Sequence, residues 1–246
     1  MIFNLTQPVL DSAPKFTYTG TYEYIDDGGG NWRIKFLTSG VFTPLRDIVI
    51  DAFLVGGGGG SPIRILGGWS SGAGGGYTRT DKGISLTANA EYPIIVGAGG
   101  VGTSGNDTSA FGNVASGGKN GNSSSNNVID GGNGGSGGGQ LKGDTAYDGG
   151  SDGSNGGRSF LSQHGGVGQG TTTREFGEET GTLYAGGGGA YNSRSIFGKG
   201  GLGGGADGGT SAMDNTGGGA GGADNDSVTS GGSGIVVIRK HKEAAA

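Results

Sequence analysis

Bulky and polar residues alternate with a period of two in the first part of the chain. Residues 15–19 and 22–25 follow this pattern, and residues 32–37 resume it after the acidic, glycine-rich stretch 26–31. A period of two indicates half-buried β-strands. Two such runs joined by turn residues predict a β-hairpin.

Continuous apolar runs predict three more strands, at residues 47–55, about 91–96 and 234–240. The first leads directly into Gly56–Gly60. No helical periodicity extends over 11 residues, and the one helix-like run, Arg174–Thr180, is too short to be stable alone. The pattern therefore predicts a mainly β fold with almost no α-helix.

Glycine changes this picture because 65 of the 246 residues are glycine. Residues 1–55 contain five of them, and residues 56–234 contain the other 60. Glycine loses more backbone entropy on ordering than any other residue, so a flexible linker is one interpretation. Apolar groups such as 92–96, 182–184 and 235–238, together with scattered aromatic residues, favour a folded body.

The glycine-rich body lacks the strict Gly-X-Y repeat and the prolines of collagen. We expect a bundle of polyproline-II-type glycine helices, in which missing side chains let backbones approach and hydrogen-bond. The candidate helical runs are residues 131–139, 185–189, 198–205 and 217–222. The predicted organisation is a lead segment at 1–14, one domain at 15–240 and a tail at 241–246. Within the domain, the β frame comprises 15–55, 91–96 and 231–240, and the glycine-helix body about 56–230. The tail alanines, Ala244–Ala246, are typical of a cloning remnant.

Charge narrows the classes of partner. The formal net charge is −5, whereas a nucleic-acid-binding protein needs a basic surface. No run of 18 apolar residues predicts a membrane span, and the first residues lack the pattern of a secretory signal peptide. We therefore expect no nucleic-acid partner and no membrane insertion.

Two motifs suggest ligands. Residues 97–102 match the GxGxxG pattern of dinucleotide-binding proteins, but a turn sequence follows where that motif requires a helix. Residues 204–208, around Asp207, resemble a calcium-binding repeat that is not repeated in tandem. We therefore expect no cofactor and assign no metal-binding residue, although a single calcium site in the Asp/Asn loops stays an open alternative.

Catalytic side chains are few. Glu175, Glu178 and Glu179 could supply two carboxylates for glycoside cleavage. A solvated acidic face with Arg174 as its counter-charge is the favoured interpretation. His164 lies in a glycine loop and His241 in the tail. We expect a protein that is not an enzyme.

Aromatic residues beside polar residues in the loops indicate binding. Trp69, Tyr147, Tyr191 and Arg194 are the candidate contact residues. The alternative is that these aromatic rings cover the glycine helices as a small core. Function is found on loops more often than on the frame that positions them.

An ordered series of motifs resembles the glycine-rich domain of tail-fibre and adhesin-type proteins in bacteriophages and prophages. The motifs lie at residues 41–44, 50–60, 74–78, 92–100, 109–112, 168–177, 181–186 and 231–239. The resemblance implies a β-sandwich frame, of jelly-roll or TNF-like type, with glycine helices inserted between its strands. It transfers no catalytic residue. Residues 62–66 depart from the pattern as an apolar insertion and are a candidate contact surface.

The resemblance also implies a place in the virion, at the phage tail, after synthesis in the host cytoplasm. The expected partners are other tail proteins and a glycan or protein on the bacterial surface. A structural spacer or decoration domain is the alternative function.

Overall fold

The structure is a computed structural model that describes residues 13–63, 69–124, 128–142, 145–156, 173–192, 197–223 and 228–242. It is mainly β, and its helical structure is a single-turn 3₁₀ helix at Glu175–Gly177. The strands are β1 (Phe16–Tyr18), β2 (Tyr22–Gly28), β3 (Asn31–Phe36), β4 (Gly40–Pro44), β5 (Ile48–Val55), β6 (Trp69–Ser70), β7 (Thr78–Leu86), β8 (Tyr92–Ile95), β9 (Thr108–Ala110), β10 (Asn113–Ala115), β11 (Ser123–Ser124), β12 (Val128–Ile129), β13 (Leu141–Lys142), β14 (Thr145–Ala146) and β15 (Ile235–Lys240).

Two five-stranded antiparallel sheets form what we call the two-sheet frame. Their strand orders are β1-β4-β8-β9-β10 and β2-β3-β15-β5-β7. The most C-terminal strand, β15, is therefore the central strand of the second sheet, between β3 and β5. Period-two alternation directs Ile34, Phe36 and Leu54 of this sheet to one side, where they meet Phe42 and Ile94 of the other sheet in one hydrophobic cluster.

The described glycine-rich segments between residues 56 and 234 form what we call the glycine bundle, which is held by hydrogen bonds between backbones. The N–H groups of residues 56–61 donate hydrogen bonds to three neighbouring segments in turn. Each of these segments therefore accepts a bond from every third residue. The donor and acceptor pairs are Gly56–Tyr77, Gly57–Asn106, Gly58–Gly232, Gly59–Gly74, Gly60–Thr103 and Ser61–Thr229, at 2.8 to 3.0 Å.

The carbonyl groups of the same segment accept bonds from three further segments. The donor and acceptor pairs are Gly118–Gly57, Gly100–Gly58, Ala220–Gly59 and Gly121–Gly60. Six chain segments therefore surround residues 56–61. A Cβ added at Gly58 would overlap the carbonyl oxygen of Gly218, so this approach requires glycine.

The segment 71–77 repeats the arrangement. Ser71, Gly74 and Tyr77, at three-residue intervals, donate to Asn122, Lys119 and Ser116 of one antiparallel neighbour. Bonding that recurs every third residue explains how buried backbone groups find partners where regular sheet pairing is not formed.

The bundle has two ends. Residue 56 follows β5 directly, Tyr77 precedes β7, and residue 234 precedes β15, so these positions adjoin the frame. Residues 61, 70 and 229 lie at the opposite end, which we call the far end. There Ser61 and Thr229 bond each other through their backbones, and the Ser61 and Ser70 hydroxyl oxygens are 2.8 Å apart.

The predicted hairpin is confirmed by the pairing of β2 with β3, and the predicted strands near 47–55, 91–96 and 234–240 are confirmed as β5, β8 and β15. Sequence patterns missed β7 because it is an edge strand that carries Arg79, Asp81 and Lys82. They also missed the short hairpin of β9 and β10.

Two predicted runs are less regular than expected. Residues 131–139 bend at 134–136, and residues 198–205 turn at Leu202–Gly204, where Gly203 and Gly204 have φ values of +93° and +94°. His241, expected in a terminal tail, instead joins the frame: its N–H donates to the carbonyl oxygen of Val49, and its Nδ1 lies 2.6 Å from Asp51.

Candidate functional site

The far end brings together three of the four predicted contact residues. Trp69 lies in β6, which pairs with β11, and Ser70 of the same strand bridges to Tyr191. The carbonyl oxygen of Tyr147 accepts the N–H of Ala190 at 3.0 Å, so Tyr147 lies beside the residue that precedes Tyr191. The structure describes the backbone of Trp69 but not its side chain. Arg194 lies outside the described residues.

Tyr191 belongs to an aromatic pair. Its ring centroid is 5.2 Å from that of Phe197, at an interplanar angle of 56°. A Cβ built on Gly209 would lie 3.5 Å from both rings, so the pair rests on the bundle surface there. Phe197 is 48% exposed. Sequence reasoning did not select Phe197, although its six-residue spacing from Tyr191 across a polar loop was a usable signal.

Buried hydroxyl groups fix this end of the bundle. The N–H of Ala223 donates to the Ser70 hydroxyl oxygen at 3.0 Å, and the Ser61 hydroxyl is 2.8 Å from that of Ser70. Ser61 and Ser70 are fully buried. Four separate parts of the chain, at Ser61, Ser70, Tyr191 and Ala223, are thereby held together beside the far-end loops.

The acidic cluster around Glu175 is at the other end of the molecule, against the frame. Glu175 is 2% exposed, and its Oε1 accepts a hydrogen bond of 2.8 Å from Arg33. Glu178 accepts one of 2.6 Å from Arg239, whereas Arg174 pairs with Asp152. The expectation of a solvated acidic face with Arg174 as counter-charge is therefore wrong for Glu175, which is buried against Arg33, and for the role of Arg174. Glu179 is exposed as expected, and Glu178 is partly exposed while it bonds to Arg239.

Phe176 anchors this segment. It has a positive φ of 56°, packs its ring against Phe53, and lies under the Arg239 guanidinium, 4.1 Å from the ring centroid. A cavity of about 400 Å³ beside it is lined by Asp27, Arg33, Glu175, Glu178 and Arg239 among other residues.

Three ionisable groups at or beside the cavity have shifted pKa values. The hydrogen bond from Arg33 lowers the pKa of Asp27, and hydrogen bonds to Asp27 and Glu175 raise the pKa of Arg33. Burial, followed by the charge of Glu175, raises the pKa of Tyr184. Asp27 and Arg33 thus hold each other in their ionised forms, whereas Tyr184 is held in its neutral form.

The two sequence motifs that suggest ligands, at residues 97–102 and 204–208, make contacts within the chain. Residues 97–100 form part of the glycine bundle, and the chain continues through residues 103–107 to strand β9 without a helix. Asp207 accepts bonds of 2.8 Å from Lys199 Nζ and from the N–H of Gly200. Among the described residues, no three His, Asp or Glu side chains form a group able to hold a metal ion. In the same part of the chain, no helix has the length and apolar character needed to cross a membrane.

A two-sheet frame that carries a backbone-bonded glycine bundle defines a class of glycine-rich β-proteins. The chain belongs to the glycine-rich domain family, whose pattern it matches over residues 37–241. The match includes β4 to β15 and the whole bundle. No curated protein matches the sequence.

Proposed function

We propose that this chain is a bacteriophage tail-associated module that binds a receptor on the surface of a bacterial host through its far-end loops. The observation that carries the proposal is the convergence of Trp69, Tyr147 and Tyr191, from distant parts of the sequence, at the end away from the frame. In this proposal the protein acts by binding and not by catalysis, and it functions in the virion beside other tail proteins.

The proposal includes a finer description of the fold. The frame is a β-sandwich of jelly-roll type, and the segments of the bundle are polyproline-II-type glycine helices. The three-residue recurrence of backbone bonds supports this description, since such a helix has three residues per turn. At about 3.1 Å per residue, six residues place the loops about 19 Å from the frame. Measured φ and ψ angles near −75° and +145° along residues 56–60 are the expected result in a crystal structure.

The rigidity of the bundle favours binding. The backbones of Tyr147 and Tyr191 are bonded to neighbouring segments of the bundle, so these residues lose little further backbone entropy when they contact a partner, and preorganisation of this kind increases affinity. Tyrosine is well suited to such contacts because it combines a large rigid ring with a polar hydroxyl group.

The test is adsorption of the purified chain to a panel of intact bacterial strains. We expect saturable binding to some strains, weakened about tenfold or more by Tyr191→Ala or Tyr147→Ala. Tyr24→Ala is the matched control, since Tyr24 is 40% exposed on edge strand β2 of the frame. Binding to no strain, or equal binding by all variants, would instead favour a structural spacer.

A further inference from the structure

A polar cavity of about 400 Å³ lies against the frame, where the acidic cluster meets the second sheet. Three parts of the chain form its walls: the β2–β3 hairpin, the segment 175–182 and the C-terminal part of β15. We call it the frame cavity. Its volume is within the range of about 300–1,000 Å³ that is typical of small-molecule sites. It takes no part in the proposed function, which relies on the far end of the bundle.

Buried charged groups fix the walls of the frame cavity. The side chains of Glu175 and Arg239 are 3% and 7% exposed. Glu175 accepts a hydrogen bond from Arg33, and Arg239 donates to Asp51 and to Glu178. Side chains that are already held by such bonds lose little further entropy when a ligand contacts them.

The charges of the walls are paired with one another. Arg33 bonds to both Asp27 and Glu175, and Arg239 bonds to Glu178. Separating a buried ion pair is costly, so a charged ligand would compete with partners that are already in place. The remaining cations of the lining are exposed at or just beyond the end of β15, where solvent and salt screen them. They are Lys240 and Lys242.

Hydrogen-bond donors and acceptors remain side by side after these pairs are formed. Arg33 uses three of its five N–H groups on Asp27 and Glu175, and each carboxylate oxygen has two lone pairs. A sugar hydroxyl group both donates and accepts, so it can bond to a carboxylate and to the adjacent guanidinium without separating them. Hydrogen bonds to ionised groups are roughly twice as strong as those between neutral groups. Thr180 and Thr182 add two hydroxyl groups to the same lining.

We propose that the frame cavity binds a neutral saccharide through the polar groups of Asp27, Arg33 and Glu178. The sequence alone suggested glycoside cleavage for the acidic cluster, whereas in this proposal its carboxylates accept hydrogen bonds from sugar hydroxyl groups. The site is separate from Tyr191 and the other far-end residues. The proposal therefore does not rest on the proposed function, and either one can fail without the other.

The experiment titrates the isotope-labelled full chain with neutral sugars and follows two NMR signals of cavity-lining residues, the Arg33 Nε–H and the Gly181 amide. The probes are glucose, galactose, mannose, rhamnose, N-acetylglucosamine, maltose and lactose. We expect at least one of them to shift both signals saturably, and sodium acetate and sodium sulfate at equal concentration to leave them in place. No shift with any of these sugars would overturn the proposal. Equal or larger shifts with acetate or sulfate would overturn it in favour of an anion site.

Paired substitutions locate the binding. Glu178→Ala should weaken it about tenfold or more, because a charged acceptor is removed from the wall, and Thr182→Val, at an exposed position, should weaken it about threefold. Glu23→Ala is the matched control, since Glu23 is also a partly exposed carboxylate, 3.9 Å from Lys35 of the same sheet but outside the cavity lining. Tyr191→Ala should bind sugar like the wild type. Wild-type affinity in both cavity variants, or loss of sugar binding in Tyr191→Ala alone, would overturn the frame cavity as the site.

Discussion

At the scale of single residues, the glycine bundle depends on missing Cβ atoms. The segment 56–61 is bonded to six neighbouring segments, and a Cβ at Gly58 would overlap the Gly218 carbonyl oxygen. Glycine is costly to order, so its use here is explained by backbone proximity and not by flexibility.

We therefore expect Gly58→Ala to lower the free energy of unfolding by more than about 4 kcal/mol, because backbone on both sides must move to admit the methyl group. Chemical denaturation in urea measures the change. Gly29→Ala is the control: Gly29 is in an exposed turn with φ of +59° and no backbone close to its Cβ position. There only the left-handed conformation opposes alanine, at about 1–2 kcal/mol. Equal losses for the two variants would contradict the steric explanation.

At the scale of elements, one buried carboxylate joins three strands of the second sheet. Asp51 in β5 is fully buried and accepts bonds from Arg239 of β15, from His241 and from the N–H of Gly83 in β7. The β5–β7 register shifts at this point, between Ile50 and Ala52. Burial acts to raise the pKa of Asp51, but the hydrogen bonds from His241, Gly83 and Arg239 outweigh it and lower the pKa.

This arrangement predicts sensitivity to acid. A carboxylate whose pKa is lower in the folded state stabilises the fold above its unfolded pKa, about 3.9 for aspartate, and loses that contribution as pH falls through the folded pKa. We expect the free energy of unfolding of the wild type to fall steeply below about pH 4. Asp51→Asn should be less stable at pH 7, since Arg239 loses a partner, but less dependent on pH in that range. Urea denaturation from pH 2 to 7 tests this, and parallel curves for the two proteins would contradict it.

The strands also show which elements could be predicted from the sequence and which could not. Alternating or continuous apolar runs predicted β2, β3, β5, β8 and β15. The last four bury at least one face, whereas β2 is an exposed edge strand that its alternation and the following turn sequence identified. Strand β7 was missed because its charged edge has no apolar period. The clustering of Tyr147 with Tyr191 was likewise not predictable in detail: it results from a backbone bond between Tyr147 and Ala190, and glycine segments carry no side-chain pattern from which such pairing can be read.

At the scale of the whole molecule, frame and bundle are interleaved along the chain. Strand β5 continues into residues 56–61, residues 70–77 return to β7, and β15 inserts into the centre of its sheet only after the last bundle segment. Ordering the backbone of one residue costs about 1–2 kcal/mol of free energy because conformational entropy is lost. A single segment has no side chains to offset this cost, so it is stable only while its neighbours are in place.

We therefore expect the frame and the bundle to unfold together. In a thermal series of amide NMR spectra, the signal of Gly59 in the bundle and that of Val237 in β15 should disappear at the same temperature. Loss of Gly59 well below Val237 would contradict this and show that the frame is stable alone. In Gly58→Ala, if enough folded protein remains, both signals should disappear together at a lower temperature, because damage at the centre of the bundle is transmitted to β5 and from there to the central strand. A frame signal that kept its wild-type midpoint in this variant would show that the bundle is an independent unit carried by the sheets.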